Sequence, residues 1–388
     1  MNNITGPPVE GDDFFGREKE MQFVWERIEK GNNFIFPSPR RVGKTSFALK
    51  LLDMANNKGW DIVSVNLEQK LSEPEFIETF IDELKKLSWW NNIKDKGTSL
   101  FNQVKKVKPK MTYGDVTVAL EWQDTKRDIY RDLSDLLDHN EKTLIFFDEL
   151  TVLLTAIVKE NSDGEKNAAA FLHWLRDMRI KSGSKIRWIF CSSVGIENFT
   201  HKYRISDTVN DIQPYKLLAY TKEQSIAMLE NLGRSEKLKL TSEIKKEIVE
   251  KLDYCIPFFL QIMFGKIAYL VSIEDMPLDN NIVDVAYARL IEETHFNTWI
   301  ERLDEQYGDN KKDALCLLKH LCQAKEGTTR ENLINVLVAL GTDPEKAEET
   351  TSILLYMLGN DGYLIEENGL YRFRSPLLRD FWFKRFVQ

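Results

Sequence analysis

The residues of this chain best equipped for chemistry lie in Phe36-Pro-Ser-Pro-Arg-Arg-Val-Gly-Lys-Thr-Ser46. Gly43-Lys44-Thr45 ends the pattern G-x-x-x-x-G-K-[ST], and each residue type has a task there. The glycine lets backbone N–H groups swing inward around a β-phosphate, the lysine ammonium reaches the β- and γ-phosphates, and the threonine hydroxyl takes one position on Mg²⁺. The helix after the loop aims its positive end at the anion. One residue departs from the pattern: Ser38, between Pro37 and Pro39, stands where the first glycine belongs. A second set of groups closes Thr143-Leu-Ile-Phe-Phe-Asp148-Glu149. An apolar run ending in two acids has the form of a buried parallel strand that finishes at a site, and such sheets bind ligands at the carboxyl ends of their strands. Asp148 would hold Mg²⁺ through its water shell, and Glu149 would polarise the water that attacks a γ-phosphate. The plainer alternative, that both acids only cap a helix at Leu150–Val158, is outweighed by the phosphate loop upstream.

These groups need a scaffold, and the surrounding pattern supplies one. Asn33-Phe34-Ile35-Phe36 reads as a short apolar strand before the loop, and Phe47, Ala48, Leu49, Leu51 and Leu52 give the apolar face of a helix after it. Further strands are expected at Ile62–Leu67, Thr143–Phe147, Ile186–Cys191 and about Val209–Ile212. Helices are expected at Glu18–Glu29, Lys44–Asn56, Glu73–Leu87, Thr125–Asp138 and Ala168–Lys181. Strands alternating with helices predict an α/β fold, a parallel sheet covered on both faces. Residues 1–13 are polar and read as an arm over the core. Residues 91–123 break the rhythm: Val107-Lys-Pro-Lys-Met and Asp115–Trp122 suggest an inserted hairpin. From Thr221 the pattern is helical until Gly362–Glu366 and Gly369–Phe373, which flank Glu367-Asn368 and read as a β-hairpin wing after three helices.

Composition narrows the class. A chain of 388 residues and 45.3 kDa has room for two or three domains with ample core. A net charge of −8 and a pI near 5.4 argue against a protein built mainly to coat nucleic acid. Cys191, Cys255, Cys316 and Cys322 form no CxxC pair and no Cys/His ligand spacing, and read as reduced core residues of a cytoplasmic protein. No apolar run approaches the ~18 residues of a membrane span, and no basic-then-apolar signal opens the chain. His139, His173, His201, His295 and His320 are scattered, and Trp174 in Phe171-Leu-His-Trp-Leu sits at helical core spacing.

Four segments together, Phe15-Gly-Arg-Glu, Pro39-Arg-Arg-Val-Gly-Lys-Thr-Ser, Phe146-Phe-Asp-Glu and Cys191-Ser-Ser-Val-Gly, resemble the archaeal-type ATPases of the STAND branch of the AAA+ superfamily. Gly362-Tyr-Leu-Ile and Phe373-Arg-Ser-Pro-Leu-Leu-Arg-Asp-Phe-Trp-Phe are similar to that family's winged-helix end. The resemblance covers most of the chain, weakly in residues 68–140 and in the lid. It implies a P-loop ATPase core over 1–215 with the insertion at about 91–123, a helical lid over 216–300 and a winged-helix domain over 301–388. It further implies ATP and Mg²⁺ as ligands, with Ser38, Pro39, Arg40, Arg41, Val42, Gly43, Lys44, Thr45 and Ser46 around the phosphates and Phe15-Gly16-Arg17 against the adenine. Thr45 and Asp148 would be the metal-side residues, Ser192 and Ser193 would occupy the sensor position, and Arg204 would stabilise γ-phosphate charge from the same or a neighbouring subunit. Cys255-Ile-Pro257 resembles the lid's Gly-x-Pro turn with Cys in place of Gly.

A winged helix invites a DNA reading, and charge weighs against it. Residues 311–388 carry eleven Lys/Arg and eleven Asp/Glu, and the expected recognition helix near Thr342–Leu358 holds Asp343, Glu345, Glu348 and Glu349 against a single Lys346. Affinity for duplex DNA without regard to sequence comes from clustered positive charge, which this face lacks. The strongest basic patch, Lys105-Lys106-Val-Lys108-Pro-Lys110, reads as a solvated loop. The expected protein is an ATP-binding and ATP-hydrolysing molecular switch, homo-oligomeric, that regulates or assembles with a separate partner protein. The alternatives are a DNA-acting ATPase resembling archaeal replication initiators and a nucleotide-gated scaffold with little turnover.

Overall fold

Strand β3 (Thr143–Asp148) is buried at every residue, as a strand covered on both faces of a parallel sheet must be. It pairs in parallel with β2 (Asp61–Asn66) on one side and β4 (Ile186–Cys191) on the other. β1 (Phe34–Phe36) pairs with β4 and with β5 (Gln213–Pro214), giving the order β2-β3-β4-β1-β5 with every pairing parallel. The chain leaves β1, crosses β4 and β3, and returns at β2, so the order of the sheet reverses beside β1. Parallel strands aligned this way bring all their carboxyl ends to one edge, where ligands bind.

The computed structural model describes residues 1–92, 116–138, 141–181, 184–192, 195–279 and 281–388. They form two compact units. The sheet lies in the unit made of Arg17–Pro37 and Lys44–Lys216, with helices α1 (Glu18–Glu29), α2 (Lys44–Asn57), α3 (Glu73–Leu84), α4 (Val116–Leu136), α5 (Leu150–Glu160), α6 (Gly164–Ile180) and α7 (Ile196–Lys202). Its core is strongly aromatic. The Phe147 ring lies edge-on to Phe76, Phe80 and Trp188 at centroid distances of 5.4, 5.3 and 5.5 Å. Trp174 is buried with its indole N–H donating to Ser134 Oγ at 2.9 Å.

Two expectations are corrected here. The expected strand Asp115–Trp122 is helix from Val116 onward, the start of α4. Its alternating Val116, Val118, Leu120 and Trp122 suit a strand locally, but the helical spacing of buried Ile129, Leu133 and Leu136 downstream wins. The expected partner run Val107–Met111 and the basic patch Lys105–Lys110 lie outside the described residues. The last strand falls at Gln213–Pro214 rather than Val209–Ile212. Arg179 fixes the preceding segment as a 3-10 turn (Ser206–Val209) and a short loop, gripping the Asp211 carboxylate with bonds of 2.8 and 2.9 Å and the Thr208 carbonyl with one of 2.5 Å. Pro214 lacks an N–H for the ladder and is tolerated because β5 lies at the sheet edge.

The other unit comprises Met1–Gly16, Ser38–Gly43 and Leu217–Gln388. It is helical through α8 (Lys222–Ser235), α9 (Ser242–Leu252), α10 (Pro257–Ser272), α11 (Asn281–Leu290), α12 (Asn297–Gln306) and α13 (Lys311–Leu321). Next come β6 (Thr328–Thr329), α14 (Arg330–Ala339), α15 (Pro344–Asp361), β7 (Leu364–Glu367), β8 (Leu370–Phe373) and α16 (Pro376–Phe386). The small sheet has the antiparallel order β6-β8-β7, compatible with a winged-helix arrangement. Asn368 and Gly369, at φ 52° and 78°, supply the two left-handed positions of a tight hairpin turn between β7 and β8. The same unit holds a buried polar knot. The Arg302 guanidinium donates to Asp361 Oδ1 at 2.9 Å and to Gln306 Oε1 at 2.8 Å, and the Tyr307 hydroxyl donates to Asp361 Oδ2 at 2.8 Å. Arg302 is 1 % and Asp361 2 % exposed. Removing one partner of such a pair strands the other charge in the interior. Asp361→Ala is therefore expected to lower unfolding stability by about 3–5 kcal/mol, read as a lower denaturation midpoint, while Glu348→Ala on the exposed face of α15 leaves the midpoint near wild type.

Candidate functional site

α2 begins at Lys44, directly after the glycine at which the chain turns. The Thr45 hydroxyl donates to Asp148 Oδ2 at 2.8 Å. The start of α2 and the end of β3 are thereby joined by a hydroxyl and a carboxylate facing each other, the hard-oxygen set that a Mg²⁺ ion prefers. Lys44 is 8 % exposed, and its charge lowers the Asp148 carboxyl. Burial pushes the Asp148 carboxyl up to about 6, against the opposing pull of the Thr45 hydrogen bond and Lys44, with Glu149 adding to the rise. Asp148 Oδ1 also accepts the Glu149 backbone N–H at 3.1 Å.

Glu149 sits at the strand-to-helix corner with φ 56° and ψ 38°, a left-handed conformation that is strained for a residue other than glycine. It makes no side-chain cap bond to α5, so the capping alternative raised from the sequence does not describe it. Its side chain turns instead toward the end of β4, where the Ser192 hydroxyl donates to Glu149 Oε2 at 3.5 Å. Ser192 Oγ is also hydrogen-bonded to Thr151 Oγ1, and Thr151 is 1 % exposed. Sequence pattern carries no sign of Thr151, because its partner is contributed by a different strand. Ser193 lies outside the described residues.

The first half of the glycine-bearing loop packs within the other unit. Ser38 is 4 % exposed and its Oγ accepts the Leu217 backbone N–H at 2.7 Å. A glycine, the usual occupant, has no atom to offer that amide, which gives the departure at 38 a structural cause. Pro39 lies against Gly362: a Cβ built on Gly362 would stand 2.4 Å from Pro39 Cβ. Arg41 adopts φ 66° and places its guanidinium 4.6 Å above the Phe258 ring while donating to the Gly6 carbonyl at 3.4 Å. Val42 is buried, and Arg40 is half-buried. At Gly43 the chain takes φ 90°, and a Cβ built there would meet no atom within 4 Å. Arg41 and Gly43 thus both take positive φ, on either side of Val42.

Phe15 and Gly16 are held by Tyr220, whose hydroxyl donates to the Phe15 carbonyl at 2.7 Å and whose ring meets Phe15 edge-on at 6.0 Å. Arg17, 2 % exposed at φ 68°, bonds Glu20 at 3.4 Å. Arg204 is exposed at φ 57° in the turn after α7. Ser46 is buried in the first turn of α2. The structure thus brings Lys44, Thr45, Asp148, Glu149 and Ser192 together at the carboxyl edge of the sheet. Among the described residues, no group of three or more His, Cys, Asp or Glu could hold a metal ion, and no helix is long and apolar enough to cross a membrane.

A parallel sheet in this order, with a glycine-lysine-threonine turn after β1 and the acids Asp148 and Glu149 at the end of β3, is an α/β fold of the P-loop kind. Among solved structures the chain is similar to a Walker-type ATPase of Pyrococcus abyssi, at 18% identity over 98% of this chain and 99% of that one, with a TM-score of 0.66. It is also similar to the ORC2 protein of Aeropyrum pernix in its ADPNP–ADP complexes, at 13% identity over 97% of this chain and 98% of that one, with a TM-score of 0.53. No family model matches the chain, and no curated protein matches its sequence. At these identities the likeness is one of fold.

The raised Asp148 carboxyl has a measurable consequence. A folded-state value near 6, above the ordinary value near 3.9, means that the protonated form favours folding. That contribution is full below about pH 4 and lost as the pH rises through about 6. Asp148→Asn, neutral at every pH, is expected to raise stability at pH 8 by on the order of 2 kcal/mol and to change it little at pH 4, read from denaturant unfolding at the two pH values.

Proposed function

We propose that this chain is a Mg²⁺-dependent, ATP-binding and ATP-hydrolysing switch of AAA+/STAND type that acts on a separate partner protein in the cytoplasm. The observation that carries the reading is the 2.8 Å bond between Thr45 and Asp148, which joins the turn after β1 to the acid end of β3. Two further features fit a triphosphate with its cation: the open space opposite Gly43 and the paired hydroxyl and carboxylate oxygens. Mg²⁺ would sit with Thr45 and Asp148 and supply charge neutralisation for the β- and γ-phosphates. Lys44 binds those phosphates, and the backbone N–H groups of Lys44, Thr45 and Ser46 at the start of α2 face them. Glu149 orients the attacking water and accepts its proton at a carboxylate oxygen. Ser192 reads the γ-phosphate. Phe15, Gly16 and Arg17 take the adenine side, and Arg204, exposed and able to reach outward, serves a neighbouring subunit in a homo-oligomer. The C-terminal residues divide into a lid over 216–300 and a winged helix over 301–388, which transmit the nucleotide state to the partner. The four cysteines are free thiols, as a reducing compartment requires.

A second reading, a DNA-acting ATPase, is favoured by the likeness in fold to the ORC2 protein. The exposed face of α15 opposes it. Glu345, Glu348 and Glu349 succeed one another there at helical spacing, Arg330 is engaged with Glu348 at 3.2 Å, and Ile353 and Tyr356 complete the stripe at 43 % and 52 % exposed. An acidic and apolar face suits protein and repels a phosphate backbone.

Calorimetry with Mg-ATP and a phosphate-release assay test the main reading. Wild type is expected to bind and hydrolyse, Lys44→Ala to lose measurable binding, and Glu149→Gln to keep binding while losing turnover by about 10²-fold or more. Binding without turnover in wild type would leave the scaffold reading. Duplex binding that falls steeply between low and moderate salt would move the assignment to DNA.

A further inference from the structure

The face of α15 that turns a phosphate backbone away has a pattern that describes what it would accept. Ala347, Leu354 and Leu358 turn to the core, whereas Glu345, Glu349, Ile353 and Tyr356 are exposed. Steps of four, four and three residues put these last four in one stripe along the helix. The stripe is acidic toward the amino end of α15 and apolar toward its carboxyl end. Its acids contribute little to the fold. Arg330 engages Glu348, but among the described residues neither the Glu345 nor the Glu349 carboxylate has a cation partner. They are like charges four residues apart, a pairing that weakens a helix. Glu345 stands in the first turn, where the helix dipole favours an acid. Glu349 is a turn further in, where that benefit has faded. The apolar half is no better used internally, since Ile353 and Tyr356 keep much of their surface in water.

We infer that this stripe docks one helix of the partner protein: a basic helix, laid antiparallel, whose cations meet Glu345 and Glu349 and whose aliphatic side chains cover Ile353 and Tyr356. The inference rests on the reading that the chain acts on a separate protein, and it names the chemistry of that protein. Charge complementarity calls for two cations opposite the two carboxylates. The repeat along the stripe, one side chain per helical turn, is the one that another helix presents. Direction follows from the dipoles. In an antiparallel pair the cations fall in the last turns of the incoming helix, where its own dipole favours them, beside the acids near the start of α15. Read from its amino end, the incoming face is therefore apolar at i and i+3 and basic at i+7 and i+11. Tyr356 anchors the contact, because aromatic side chains surrounded by polar groups carry much of the energy of such interfaces. A second copy of this face fits poorly: parallel, it sets acids against acids, and antiparallel, acids against apolar side chains.

The probe is a fluorescein-labelled synthetic peptide with Leu at i and i+3 and Lys at i+7 and i+11 on an Ala/Gln background, titrated against the full chain by fluorescence anisotropy. Saturable binding to wild type is expected, weakening as salt is raised because the ion pairs lie at the surface. Glu345→Lys combined with Glu349→Lys is expected to weaken it about tenfold or more, and a peptide with Glu in place of both Lys to recover that loss on the double variant. Tyr356→Ala is expected to weaken binding about tenfold. All three positions are exposed, so unfolding midpoints near wild type are expected and are read alongside. Absence of saturable binding overturns the inference, as does a Glu-bearing peptide that recovers nothing. A peptide with Ser in place of both Leu that binds as tightly as its parent reduces the effect to charge attraction and also overturns it. Self-association of wild type that disappears in Tyr356→Ala gives the face to a second copy, and duplex binding that disappears there gives it to DNA; either outcome overturns the docking of a basic helix. Peptide binding is measured without nucleotide, so the two readings fail separately. Turnover without peptide binding sinks the docking site alone, and peptide binding without turnover sinks the ATPase reading alone.

Discussion

The bond between a threonine hydroxyl and an aspartate carboxylate ties together everything else at this site. It exists because β1 and β3 run in the same direction in one sheet, so that the turn leaving the first and the acid closing the second arrive at a common edge. It is strained electrostatically, since a carboxylate taken out of water with a hydroxyl, an amide and one nearby ammonium for company holds its proton more tightly than usual. A divalent cation in that position would repair the deficit.

The parts of this arrangement that can be read from the sequence are those whose meaning is local. The turn at Gly43-Lys44-Thr45, the apolar run into Asp148-Glu149 and the alternation of strands with helices depend on neighbours a few residues apart, and all three hold in the structure. The illegible parts depend on distant partners. Ser38 looks like a defect in the phosphate loop until Leu217 is seen beside it. Thr151 carries no signal because its partner lies at the end of β4. The segment beginning at Val116 alternates like a strand over a short stretch and yields to the longer helical pattern of which it is the first part. The final strand of the sheet falls later than its apolar run suggests because Arg179, far back in α6, holds Thr208 and Asp211 in a loop.

Buried charge is used differently in the two units. Near the reacting edge an acid is left with few partners and a raised proton affinity. In the C-terminal unit Arg302, Asp361, Tyr307 and Gln306 bond one another in the interior, leaving only Arg302 Nη1 of that guanidinium without a partner, and burial lifts the Tyr307 hydroxyl well above its ordinary value, with the neighbouring Asp361 charge adding to it. The first arrangement leaves a group able to respond to a ligand; the second fixes the junction between α15 and β7 in one geometry. Function and rigidity are thus assigned to separate clusters of similar chemistry.

Gly362 comes directly after that junction, at φ 88°, with Pro39 where its side chain would be. Handedness and volume exclude other residues there independently of each other. The order of synthesis gives the contact a further meaning. Pro39 leaves the ribosome long before Gly362 does, so the loop waits, without its eventual neighbour, while nearly the whole of the chain is made. Its last packing partner arrives with the turn into β7, after Gly6, Leu217 and Phe258 are already in place, so a chain arrested before that turn would leave Pro39 alone uncovered.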